Sequence, residues 1–205
     1  MSNYTETGTG RIQKVSIKPE DVQLSDFIVI DDTWYEITAI YKYIDVEDDD
    51  DYWFDFTGVN EIGEKVYIGV DKNEEYIWEY SIWKIIPKSE VKTHEDMKNI
   101  TYDNHKTTIK YKDIKYKLYD DNNMLYEAHV ISWVNGRNKN PISYPVWISD
   151  LEDKTGEKFL SIEVDEDNVV EVSIGEYISN VELIKNEKNI KQKDSILKKL
   201  KNLFK

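Results

Sequence analysis

Carboxylates set the chemistry open to this chain. Asp and Glu make up 41 of its 205 residues, against 27 Lys and Arg, three His and no Cys. Acids at this density can act as an acid/base pair, hold a hard cation, or repel polyanions. Number alone does not choose among these, because accidental pairs are certain. Two acidic runs have oxygen ligands to offer, Glu47 to Asp51 and Asp165-Glu166-Asp167. Neither has the central Gly and final Glu of an EF-hand, so both read as solvated loops. His94, His105 and His129 show no paired ligand spacing such as H-E-x-x-H. Without cysteine there is no thiolate ligand or cysteine nucleophile. Thr7-Gly8-Thr9-Gly10-Arg11 precedes no strand-turn-helix unit, and no G-x-S-x-G elbow occurs. The expectation is a protein with no catalytic residues, no cofactor and no metal site.

The tail carries the sharpest interaction signal. Ile196, Leu197, Leu200, Leu203 and Phe204 fall on one face of a helix, with Lys198 and Lys199 elsewhere around it. Such a basic amphipathic segment suits an anionic membrane surface, a protein partner's groove, or the chain's own acidic body. Net charge is −14, and residues 185–205 hold eight Lys against Glu187 and Asp194, a net of +6. The remaining body therefore carries −20, which repels nucleic acid and anionic lipid. Direct nucleic-acid binding is not expected.

Aromatic residues dominate the predicted strands. Trp53, Trp78, Trp83, Trp133 and Trp147 all fall in or beside them, as core packing or as a stacking face for carbohydrate. Phe27 to Ile30, a turn at Asp31-Asp32, and Trp34 to Tyr41 read as a hairpin. Tyr52 to Phe56 and Lys65 to Val70 read as a second hairpin across Gly63. Residues 75–86 read as a closing strand, with Tyr76, Trp78, Tyr80 and Ile82 on one face. Lys18-Pro19-Glu20-Asp21 reads as a single helical turn, and Ser89 to Asn99 as a short linking helix capped by Ser89.

The pattern then repeats. Gly63-Glu64-Lys65 returns as Gly156-Glu157-Lys158, and Glu79-Tyr80-Ser81-Ile82 returns as Glu171-Val172-Ser173-Ile174. Asp31-Asp32 is echoed at Asp120-Asp121, Tyr35-Glu36 at Tyr126-Glu127, and Tyr52 at Tyr144. Matches in one order imply two copies of a structural unit. In the second copy, residues 108–119 and 124–134 are expected to form the first hairpin. Tyr144 to Ile148 and Glu157 to Val164 form the second, and Val169 to Ile174 with Tyr177 to Ile184 close it.

Trp53-Phe54-Asp55-Phe56 followed by Lys65-Val66-Tyr67-Ile68 resembles a known family. So do Val146-Trp147-Ile148-Ser149-Asp150, the run Gly156 to Glu163, and Glu171 to Ile178. Together they resemble the bacterial family catalogued as domain of unknown function 4178, over residues 24–186. Asp55-Phe56 departs from it, standing where Glu-Tyr is expected. The resemblance implies tandem β-rich modules with no assigned enzymatic activity, and an association with membrane-stress proteins. It brings no catalytic residues.

The resulting expectation is an all-β, mainly antiparallel protein of two repeated sandwich- or barrel-like modules with a C-terminal amphipathic helix. Its segments are an N-terminal arm (1–23), a first β module (24–87), a linker (88–107), a second β module (108–186) and the basic helix (187–205). Whether the modules share one sheet is left open. The expected function is a non-enzymatic interaction protein, cytoplasmic and peripheral at the inner face of the membrane, whose tail contacts that surface or a protein partner in membrane stress. An acidic inhibitor that mimics nucleic acid is the alternative, and a carbohydrate-binding or enzymatic β domain the third.

Overall fold

In the computed structural model the described residues are 15–48, 50–73, 75–101, 104, 106–118, 126–134 and 142–186. They form twelve strands: β1 (Phe27–Ile30), β2 (Thr33–Asp45), β3 (Tyr52–Val59), β4 (Lys65–Lys72), β5 (Trp78–Ile85), β6 (Thr108–Tyr111), β7 (Ile114–Leu118), β8 (Tyr126–Val134), β9 (Ile142–Glu152), β10 (Lys158–Asp165), β11 (Val170–Ile178) and β12 (Val181–Ile184). One helix, α1 (Lys88–Val91), and a 3-10 turn, Pro19–Asp21, complete the list. The strands are antiparallel throughout, as the alternating sequence requires.

The sheet closes on itself. Strands run in the order β2-β3-β4-β5-β11-β10-β9, and β8 pairs with both β9 and β2. Eight strands thus make a barrel, four from each half of the sequence, with β1, β12, β6 and β7 as extensions. Two separate modules are therefore not what the repeat builds. Each half presents two unpaired strand edges, and pairing edge to edge with the other half removes them. The joints are β2 with β8 and β5 with β11.

The hydrophobic core lies mainly outside this barrel. On one side Ile37, Ile40, Phe54, Phe56, Val66, Ile68 and Val70 point outward beneath Ile28, Leu183 and the N-terminal residues Ile17, Val22 and Leu24. On the other, Leu151, Leu160, Ile162, Val164 and Val172 are covered by Val91, Met97, Ile100, Ile109, Tyr111 and Tyr116. The residues between these in each strand must point inward. At about 25 cal/mol per Å² of apolar area, the two outer layers supply the main favourable energy of the fold.

The hairpins at Asp31-Asp32 and Gly63 form as the sequence predicts. Asp31 and Asp32 have φ of 45° and 65°, the mirror-image turn of tight hairpins. Gly63 and Gly156 have φ of 84° and 70° in matching turns. Asn60 Oδ1 accepts from the Ile62 and Glu64 amides, and Asp153 Oδ1 from those of Thr155 and Glu157. Pro19 opens the 3-10 turn.

Several expectations need correction. Among the described residues, 108–118 do not pair with 126–134. They fold back on themselves as β6 and β7 around Lys112-Asp113, both at positive φ. Lys112-Asp113 makes a two-residue turn like that at Asp31-Asp32, and the expected turn at Asp120-Asp121 lies outside the described residues. Positions 170–178 form one strand, and β12 leaves to pair with β1. Pro87, not Ser89, occupies the N-cap of α1, which spans only four residues. Tyr76 sits in the turn before β5 with φ 60° and is 84% exposed, whereas Trp78, Tyr80 and Ile82 share the outer core face. The Tyr52–Tyr144 echo breaks, because Tyr52 packs on Phe54 outside and Tyr144 lines the interior. The predicted tail helix, with Ile196, Leu197, Lys198, Lys199, Leu200, Leu203 and Phe204, lies outside the described residues.

Asp26 fastens the extension strands. It is fully buried, and its carboxylate accepts from Lys185 Nζ at 2.9 Å, the Asn186 amide at 2.9 Å and the Gln23 amide at 2.8 Å. Removing one partner of such a pair strands a buried charge, at a cost of about 3–5 kcal/mol. Asp26→Ala should lower chemical-denaturation stability by that order, and Asp26→Asn should lose less. Equal stability of Asp26→Ala and wild type would contradict this role.

Candidate ligand site in the barrel lumen

Inward-facing positions are mixed: Ala128, Val130, Val146 and Ile148 form a small apolar cluster with Tyr43, and most of the others are polar or aromatic. Reading across the ladder, one row is Tyr41, Asp55, Gly69, Ser81 and Tyr177. The next is Tyr67, Trp83, Gly175, Phe159 and Glu152. A third is Ile85, Ser173, Ser161 and Asp150. Glu171 stands beside Glu163 one step further on. These rows surround a cavity of about 1160 Å³. Small eight-stranded barrels have room for packed side chains or one small ligand.

The lining is strongly acidic. Ten carboxyl groups border the cavity, and Lys72 is its one cationic side chain among the described residues. The most enclosed are Asp55, Asp150 and Glu163. Tyr43 reaches across the lumen from β2, and its hydroxyl donates to Glu163 Oε2 on β10 at 3.1 Å. Asp55 also shares a hydrogen bond with Tyr43. A phenol has one proton, so two charged carboxylates on the same hydroxyl leave one lone-pair clash unrelieved. A proton held on one of the acids relieves it.

The titration behaviour follows. Loss of solvation pushes Asp55 up to about 7, with the charges of Asp150, Glu171 and Asp71 adding to the rise and the Tyr43 hydrogen bond opposing it. Glu163 rises to about 8, chiefly by desolvation and then by the charges of Asp55 and Glu171. Asp71, nearer the rim, rises to about 6, again mainly by desolvation. Asp150 is raised by desolvation, against a hydrogen bond from Ser161. These groups keep some contact with the cavity, yet a walled cavity does not solvate a charge as bulk water does. The Tyr43 hydroxyl is raised well above 10 by its burial and by Glu163.

Aromatic groups complete the wall. Trp53 stacks on Tyr43, with ring centroids 5.1 Å apart. Trp83 lies flat across two glycines. A methyl group on Gly175 would meet its ring at 2.6 Å, and one on Gly69 would meet Nε1 at 2.5 Å. The indole is held there by a hydrogen bond from Nε1 to Ser81 Oγ at 2.7 Å. Phe159 sits 6.3 Å from Trp83 and meets Tyr177 edge-on at 4.7 Å.

The other residues singled out by sequence do not join this site, apart from Asp51 and Asp165, which lie on the lining. His94 packs on Tyr111 and accepts from the Asp96 amide, and His129 lies exposed near Ser143. His105 is outside the described residues. The two acidic runs build turns: Asp45 and Asp48 accept from the Glu47 and Asp50 amides, and Asp165 from those of Asp167 and Val169. Trp78, Trp133 and Trp147 serve the outer core. No three His, Asp or Glu among the described residues stand close enough together to hold a metal ion.

The fold and lining thus define a closed antiparallel β-barrel with an acidic, aromatic-walled interior. The chain belongs to the family described as domain of unknown function DUF4178, whose model matches residues 23–180. No curated protein and no solved structure matches the chain.

Because the folded pKa values of Asp55 and Glu163 are raised, the folded state holds protons that the unfolded chain releases. Their contribution to stability is therefore present at acid pH and is lost as pH rises through about 7 and 8. Glu163→Gln, a neutral copy of the protonated acid, should leave the melting temperature near wild type at pH 5. At pH 8.5 it should raise stability by ~2 kcal/mol or more, about 4–8 °C for a chain this size. A variant less stable than wild type at both pH values would refute the assignment.

Proposed function

We propose that the protein is a non-enzymatic binding barrel whose lumen takes a small organic cation. The observation that carries this reading is the charge of the cavity lining, ten carboxyl groups against one ammonium among the described residues, with Asp55, Asp150 and Glu163 the most enclosed. An enclosed anionic site raises the local concentration of cations and rewards a ligand that supplies the missing charge. Aromatic faces at Trp53, Trp83 and Phe159 add cation–π attraction in the same space.

The same features speak against the alternatives. A mimic of nucleic acid displays its charge on an outer surface, and the ten lumen carboxyl groups do not serve that role. A hydrolase needs its acid and base on either side of a reacting bond. Here the Tyr43 hydroxyl already bridges Asp55 and Glu163.

Binding of a cation should drive protons off Asp55 and Glu163, since the bound charge favours their ionised forms. Calorimetry at pH 7 with putrescine and butylamine should show saturable binding whose heat differs between phosphate and Tris buffers by the heat of proton release. Acetate and glucose should not bind. The double variant Asp55→Asn, Glu163→Gln should bind amines at least ~10-fold more weakly, about 1.4 kcal/mol. Unchanged amine binding in that variant, or equal binding of acetate, would overturn the reading.

A further inference from the structure

Within the lumen one carboxylate is set apart. Asp150 lies on the inward face of β9, its side chain is enclosed, and its Oδ1 is buried without a hydrogen-bond partner. Its other interaction is the hydrogen bond with Ser161, its cross-strand neighbour on β10. A buried carboxylate oxygen left unpaired is costly, and native proteins satisfy nearly all such atoms. The Asp150 side chain lines the lumen, and once it turns so that Oδ1 faces that space, the oxygen needs a donor that the chain itself does not supply.

The neighbouring ladder row fixes what lies beside it. Ser161 pairs with Asp150, and Phe159 pairs with Glu152, so the Phe159 row is one same-face step away. That step is ~7 Å along a strand. Across the row, Phe159 pairs with Gly175 and Gly175 with Trp83. The absence of a side chain at Gly175 lets the indole lie against the wall there, 6.3 Å from the Phe159 ring, which in turn meets Tyr177 edge-on. An aromatic bay and an unpaired carboxylate oxygen therefore stand one step apart on the same wall.

We propose that the preferred ligand is an arylalkyl ammonium compound, with its ammonium on Asp150 Oδ1 and its ring in the bay of Trp83, Phe159 and Tyr177. The proposal rests on the reading of the lumen as a cation site and adds the class and orientation of the ligand. An amine carried two carbons from an aromatic ring spans the distance between the two features. The ammonium donates to Asp150, while its remaining protons face Glu152 on the same strand and the Ser161 hydroxyl on β10. Ser173 and Ile85 complete that row from β11 and β5, and neither adds a positive charge. A neutral or anionic ring compound finds the same bay but no partner for Oδ1.

The test uses the full chain at pH 7 with phenethylamine, butylamine and 3-phenylpropionate in parallel calorimetric titrations. Phenethylamine should bind at least tenfold more tightly than butylamine, and 3-phenylpropionate should not bind. Asp150→Asn should weaken phenethylamine at least tenfold. Trp83→Leu should weaken phenethylamine more than butylamine and so remove the preference for the aryl amine. Equal affinity of the two amines for wild type overturns the proposal while the cation site stands, and needs no variant to fold. Amine binding undiminished in Asp150→Asn overturns the seating on Asp150. If neither amine binds wild type, the cation reading fails and this proposal with it.

Discussion

Closing a sheet around carboxylates is the constraint on which the rest of this structure depends. Eight strands pair along a closed ladder, so closure removes the exposed edges of both sequence halves. The same closure takes Asp55, Asp150 and Glu163 out of bulk water. Their desolvation opposes folding unless protons or a cation neutralise them. The apolar layers outside the barrel must outweigh that cost, and they are extensive. The N-terminal residues with β1 and β12 cover one flank, and α1 with β6 and β7 covers the other.

This arrangement separates stability from binding. Outward-facing side chains carry most of the hydrophobic core, and inward-facing ones carry charge and aromatic surface beside one small apolar cluster around Val130 and Val146. Tyr43 couples the two parts of the lumen wall, since it stands on β2 and reaches Glu163 on β10. Gly69 and Gly175 have a comparable role on the far wall, where they make space for Trp83. A ligand entering such a lumen changes the charge balance without any strand having to move.

Much of the strand content was legible because the period-two pattern is strong. Trp78, Tyr80 and Ile82 alternate with Glu79, Ser81 and Trp83, and the first set is the outer core face. β3 alternates in the same way, with Phe54 and Phe56 against Trp53 and Asp55. Alternation could not say that the polar face is enclosed. A polar face reads as solvent-facing in any open sheet, and only the joints β2–β8 and β5–β11 convert it into a lumen. Those joints are long-range pairings between the halves, which a repeat does not specify. The echo of Gly63 at Gly156 marked a real pair of turns, whereas Tyr52 and Tyr144 share a residue type but face opposite sides. Asp55, Asp150 and Glu163 were lost among 41 acids, since nothing in composition distinguishes an enclosed carboxylate from a solvated one.

The central claim is that these carboxyl groups are enclosed together and hold protons near neutral pH. Carbon-detected NMR titration of the side-chain carboxyls, assigned by Asp55→Asn and Glu163→Gln, measures this directly. The account predicts midpoints near 7 for Asp55 and near 8 for Glu163. Midpoints for both groups at about 4, where solvated carboxyls titrate, would contradict it.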